Sequence, residues 1–207
     1  MEYLEATLYA QGFNVYELHR RGYAESEGPS CEALAARSQS YNETLVKEAS
    51  YDASAALKLI RQQSNVIDVG VVAGHSFGGL EAVHLADSSP DILASINLAG
   101  ALSLPSRDPT AAATPPAPEF LKRMAVTTKP TLFIYSETDW LAPIPAIKAW
   151  FSLQTAPAGN RFLAMPTLKG MDGHDGILTG DAADRWVGPL QEFVIKAAQL
   201  TSIATAE

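Results

Sequence analysis

One cysteine, Cys31, stands among 207 residues, which excludes an intramolecular disulfide and a thiolate metal cage. Its neighbours Pro29, Ser30 and Glu32 supply no cation to lower its pKa, so Cys31 reads as a spectator. Charge is also sparse: 18% of residues are charged, with 23 acids against 15 bases. The net charge of −8 argues against a nucleic-acid-binding surface, which needs clustered Lys and Arg to neutralise phosphates. The one basic cluster, His19-Arg20-Arg21, is too small for that. No apolar run approaches the roughly 20 residues of a bilayer span. The start, Met1-Glu2-Tyr3-Leu4-Glu5, lacks the basic and apolar segments of a signal peptide. The chain therefore reads as soluble, cytoplasmic as written and secreted if a leader has been removed. There is no repeat.

Apolar residues make up 47% of the chain, enough for one compact domain over residues 1–207. Helix-spaced and strand-like segments alternate, which points to an α/β architecture with a mostly parallel sheet. Helices are expected over Met1–Gln11, Asn42–Gln63, Phe77–Ala86, Glu119–Ala125, Ile144–Leu153 and Asp181–Leu200, the last with a bend at Pro189. Strands are expected over Phe13–Leu18, Ile67–Ala73, Ile92–Leu98, Thr131–Tyr135 and Arg161–Met165. The Ile67–Ala73 run is rich in β-branched residues, as a central strand covered on both faces should be. Gly22–Gln39 reads as loop. Pro105–Pro130, with six prolines, is the most irregular stretch.

Gly74-His75-Ser76-Phe77-Gly78 fits Gly-x-Ser-x-Gly. It follows a strongly apolar strand and opens a helix, which is the strand–turn–helix context of a nucleophile elbow. Glycines permit the tight turn that projects Ser76, and Gly79 lets the helix approach its strands. A serine hydroxyl needs a general base. Of four histidines, His19 sits beside arginines, His75 is the variable position of the elbow and His84 lies two turns down the helix. His174 lies in Gly170-Met171-Asp172-Gly173-His174-Asp175-Gly176, whose glycines let the loop fold back over the sheet edge. The base needs a carboxylate to hold its tautomer. Asp139 follows a strand and completes the chain order Ser…Asp…His that accompanies such an elbow. Glu137 is its nearest competitor. Asp172 and Asp175 are too close to His174 in sequence to reach its far nitrogen easily.

These positions and the strand–helix alternation resemble the α/β-hydrolase superfamily, nearest to its dienelactone-hydrolase-like esterase branch. The likeness runs from about Tyr3 to Ile195. It includes Gly12-Phe13-Asn14-Val15-Tyr16, the segment Arg20-Arg21-Gly22-Tyr23-Ala24-Glu25-Ser26, and the Gly170–Gly176 loop followed by Trp186 and Phe193. Dienelactone hydrolases use a cysteine nucleophile, so Ser76 implies an esterase instead. The resemblance implies the α/β-hydrolase fold, with a mostly parallel sheet flanked by helices and its N-terminal strands missing or reduced. Members carry strands and a His-Gly loop ahead of the Met1–Gln11 helix, and that loop donates one oxyanion-hole N–H. The absent strand would lie between the first strand here and the one before Ser76. The chain is then a fragment, a compact variant with another donor such as Tyr23, or a folded but poor catalyst. The unfilled sheet position could instead be supplied by a partner chain, as in a dimer.

The expected reaction is hydrolysis of a small carboxylic ester of short to medium acyl chain, with no metal or organic cofactor. Ser76 attacks, His174 moves the proton, Asp139 orients His174, and the backbone N–H of Phe77 holds the oxyanion. Phe77, Trp140 and Leu141 are pocket candidates. Trp150 fits the core equally well. Residues 101–129 occupy the place of a cap. The competing readings are a peptidase or amidase with the same residues, and a catalytically silent binding protein of the same fold.

Overall fold

The computed structural model of the chain describes residues 1–38, 41–66, 69–101, 128–152, 159–166 and 172–204. These divide into two compact units, Met1–Phe13 with Val69–Glu207, and Asn14–Asp68.

The larger unit is built on four strands, β1 (Gly70–His75), β2 (Ile92–Leu98), β3 (Thr131–Ser136) and β4 (Arg161–Met165). They are all parallel and lie in the order β1-β2-β3-β4. The inner strands β2 and β3 are almost wholly buried, which explains their unbroken apolar character. Helix α4 (Phe77–Ser88) packs on β1 and β2. α5 (Ile144–Phe151) sets Trp150 edge-on against Phe133, ring centroids 5.0 Å apart. Trp150 is thus a core residue. The long closing helix α7 (Gly180–Ala204) packs on β2, β3 and β4 and runs through Pro189 unbroken. It buries Trp186, whose indole N–H donates to the Ile177 carbonyl at 2.9 Å. The opening helix α1 (Glu2–Ala10) packs on α7 and ends at Gly12, where φ is +88°. A one-turn helix, α6 (Gly173–Gly176), lies between β4 and α7. No helix among the described residues is long and apolar enough to cross a membrane.

The smaller unit pairs α2 (Cys31–Ala35) with α3 (Tyr41–Ile60), which buries Leu45, Ala49 and Ala53. α2 falls inside the stretch expected to be loop. Ser30 caps it by accepting the Ala33 N–H, a local device that glycine and serine content alone obscures. Arg21 binds Asp52 at 2.7 Å and Glu48 at 3.2 Å. Cys31 is buried and donates to Asp52. Burial first, and then the Asp52 charge, push its thiol up to about 11, as befits a spectator.

Two strand expectations require correction. Phe13–Leu18 forms no strand, and it pairs with no strand among the described residues. A strand-prone stretch makes a strand only when a neighbour supplies ladder bonds. The strand before Ser76 is not central. β1 is an edge of the described sheet, and Val71, Val72 and Ala73 are only half-buried. The expected Glu119–Ala125 helix and nearly all of the expected cap lie outside the described residues.

Candidate active site

Ser76 sits between the end of β1 and the start of α4, with φ +56° and ψ −126°. A non-glycine residue is held there only when its surroundings over-determine it. They do. The Ser76 N–H donates to the Leu98 carbonyl at 3.0 Å, while its own carbonyl accepts the N–H groups of Gly79 and Ala101. A Cβ on Gly74 would fall 2.1 Å from the Gly78 carbonyl oxygen, and one on Gly79 would lie 2.9 Å from the Gly100 Cα. Both glycines are therefore required by backbone proximity. A Cβ on Gly78 would meet nothing, and its presence has no packing explanation.

His174 belongs to α6. Asp172 caps that turn, its Oδ1 accepting the His174 N–H at 2.9 Å. Its other oxygen, Oδ2, accepts the indole N–H of Trp140 at 2.8 Å. Gly173 lies so close to the chain after β3 that a Cβ there would be 2.4 Å from the Thr138 carbonyl carbon. The histidine turn is thus pressed against the segment that carries Asp139.

The side chains of Ser76, His174 and Asp139 meet. Ser76 Oγ lies 2.9 Å from His174 Nε2, and His174 Nδ1 lies 3.0 Å from Asp139 Oδ2 and 3.2 Å from Oδ1. An ionised carboxylate only accepts, so Nδ1 carries the proton and Nε2 presents its lone pair to the serine hydroxyl. Asp139 Oδ1 also accepts the N–H groups of Leu141 and Ala142 at 2.9 and 2.8 Å, which fixes the carboxylate in a buried position. Burial disfavours a charged His174. The hydrogen bond to Asp139, and the charges of Asp139, Asp175 and Asp172, outweigh burial and hold its pKa above the ordinary imidazole value. Such a chain can remove a proton from a hydroxyl and stabilise the imidazolium that results.

The competing acids lie elsewhere. Glu137 and Asp175 are exposed, and Asp172 is engaged by Trp140 and the His174 N–H. His19 is exposed beside Glu17, and His84 is half-buried on α4. Among the pocket candidates, Trp140 is exposed, Phe77 is half-buried at the start of α4, and Leu141 is buried. Tyr23 belongs to the smaller unit, where its ring lies under the Arg20 guanidinium at 5.0 Å.

His75 is only the variable position of the elbow in the sequence, yet its Nε2 lies 3.0 Å from the His174 carbonyl oxygen. A carbonyl accepts only, so His75 Nε2 carries a proton. The donor atoms of His75, His174 and Asp175 lie within 4.8 Å of one another. They do not fit a metal ion as arranged: His75 Nε2 bears hydrogen, and both nitrogens of His174 are engaged.

Three comparisons bear on the chain. A family model described as alpha/beta hydrolase fold matches residues 1–127. No curated protein matches the sequence. Solved structures do. An esterase from Pyrococcus furiosus is 14% identical with a TM-score of 0.65, over 95% of this chain and 74% of its own. A predicted CIB-like hydrolase from Thermoplasma acidophilum is 20% identical with a TM-score of 0.62, over 92% and 76%. An alpha-beta serine hydrolase homologue from Coxiella burnetii is 18% identical with a TM-score of 0.57, over 91% and 73%.

Proposed function

The chain belongs to the alpha/beta hydrolase fold family, and on that premise we propose that it is a serine hydrolase cleaving carboxylic esters of short to medium acyl chain. The observation that carries this reading is the continuous hydrogen-bonded chain from Ser76 Oγ through His174 to Asp139. The strained backbone at Ser76 supports it, because strain of order 1–3 kcal/mol persists at a turn only when something requires that geometry.

In the proposed reaction His174 Nε2 takes the Ser76 proton as Oγ attacks the ester carbonyl. The backbone N–H of Phe77, the first residue of α4, donates to the oxyanion. His174 returns the proton to the leaving alkoxide, giving alcohol and an acyl-serine. A water then attacks the acyl carbon, with His174 again as base, and the acid leaves with Ser76 restored. Asp139 remains ionised throughout and stabilises the imidazolium. Trp140, exposed next to Asp139, and Phe77 beside the serine are the side chains assigned to meet an acyl or alkyl group. Each oxyanion donor contributes about 3–4 kcal/mol.

The test is hydrolysis of p-nitrophenyl acetate, butyrate and octanoate by the purified chain, beside Ser76→Ala. Turnover that disappears in Ser76→Ala, with stoichiometric labelling by a fluorophosphonate probe, is expected. A folded protein that neither labels nor turns over defeats the proposal. Preference for aminoacyl amides over esters would replace the ester reading with an amidase.

A further inference from the structure

Within the site read above as an esterase, on which this inference rests, we infer that His75 is a positioning residue: its Nε2–H clasps the His174 carbonyl and ties the serine's strand to the histidine's turn. β1, which His75 ends, and β4, after which His174 comes, are the two opposite edges of the described sheet. Two loops that start so far apart need a tie if their side chains are to meet. The bond from His75 Nε2 to the His174 carbonyl, 3.0 Å long, joins residues 99 positions apart. The two imidazole rings lie 4.9 Å apart, tilted by 46°. His75 adjoins Ser76, so one end of the tie is anchored at the nucleophile itself.

The chemistry of the tie is constrained. The acceptor is a carbonyl, so His75 must present Nε2–H, and a neutral ring then has a bare Nδ1. The titratable groups facing His75 are His174, Asp175, with Oδ1 at 4.0 Å, and Asp139. Burial favours the neutral ring above all, and its pKa stands below the ordinary value. A neutral His75 is also what catalysis needs, because a second cation at this distance would oppose the imidazolium on His174.

Releasing the clasp frees the backbone of the residue whose Nε2 must stay 2.9 Å from Ser76 Oγ. A shift of about 1 Å at a reacting group can cost about a hundredfold in rate.

The variants His75→Leu and His75→Gln separate the bond from the bulk. Leucine fills similar space without a donor, and glutamine places an amide N–H near the position of Nε2. His75→Leu should lower kcat by about 10- to 100-fold with KM little changed, whereas His75→Gln should stay near wild type. Proton NMR titration of the ring of His174 should show its midpoint falling in His75→Leu, as the grip on Asp139 loosens, and holding in His75→Gln. This arm reads the site without turnover, so it decides the inference even if no ester is cleaved. Nitrogen-15 spectra of the wild type should show His75 protonated on Nε2 and bare on Nδ1, which needs no variant to fold. The opposite tautomer overturns the inference. So does a folded His75→Leu with wild-type kcat and an unmoved His174, or a folded His75→Gln that falls as far as the leucine variant.

Discussion

Trp140 and Asp172, 32 residues apart, are joined by an indole N–H···Oδ2 hydrogen bond of 2.8 Å, and the other oxygen of that carboxylate holds the His174 N–H. The acid loop and the histidine turn therefore share one carboxylate. Capping by the His174 N–H, chiefly, holds Asp172 below its ordinary pKa, with the Trp140 bond adding to it. Trp140→Phe keeps the ring and removes the donor. It should lower kcat by about two- to tenfold, while Asp172→Ala, which also removes the cap, should destabilise by about 1 kcal/mol. Steady-state kinetics and urea denaturation measure the two effects. Equal kinetics for wild type and Trp140→Phe would show the bond to be incidental.

The proposed function gives Asp139 two separable duties. Asn in its place retains an Oδ1 that can accept the Leu141 and Ala142 N–H groups, but it cannot hold the proton of His174 on Nδ1 in the same way. Asp139→Asn should cost about 10³- to 10⁴-fold in kcat with little loss of stability. Asp139→Ala leaves two buried donors unsatisfied and should destabilise by a further 1–3 kcal/mol or so. Paired rate and melting measurements distinguish them, and an active Asp139→Asn would remove Asp139 from the mechanism.

The raised pKa of His174 fixes the direction of two pH effects. In the proposed reaction His174 works as the base only when unprotonated, so kcat/KM should fall with acidification through a midpoint above the ordinary value of about 6.5. Stability runs the other way. A folded pKa above the unfolded one means that the contribution of the His174–Asp139 pair is complete below the unfolded value. It is lost as pH rises through the folded value. The difference in melting temperature between wild type and His174→Gln should therefore shrink across the window in which activity appears. A kinetic midpoint at or below 6.5 contradicts this account.

Ser76 is a conformational cost at φ +56°. Ser76→Ala removes the hydroxyl but keeps a Cβ in that backbone, whereas Ser76→Gly relieves it. Both variants should be inactive, and Ser76→Gly should be the more stable by about 1 kcal/mol. Chemical denaturation of the two, compared directly, is the measurement. A more stable alanine variant would mean that the turn is not strained.

Legibility followed how local each feature is. Ile92–Leu98 and Arg161–Met165 are legible to the residue because each is a strand-length stretch rich in apolar residues, the first entered from Asp91 and the second set between Asn160 and Pro166. Ser76 was readable because the elbow is a local motif, and Asp139 because it follows a strand. Phe13–Leu18 misleads because a stretch of strand-prone residues says nothing about whether a neighbour exists. His75 was passed over because its partner is 99 residues away, beyond any spacing rule. Asp172 is set aside in the sequence as too close to His174 to orient it, although an aspartate two positions before His174 is itself a helix-cap signal. Trp140 was expected in a pocket, and its bond to Asp172 could not be read from a pattern.

The strand order has one more consequence. Ser76, Asp139 and His174 follow β1, β3 and β4, and no two of them belong to the same strand-to-helix connection. A partly folded chain in which β4 has yet to dock can hold a well-formed elbow and still have no base beside it. On the proposed function, labelling of Ser76 is then a clock for folding. Labelling during refolding would report the arrival of the last strand and its turn, a long-range event, after the helix signal of α4 has been recovered.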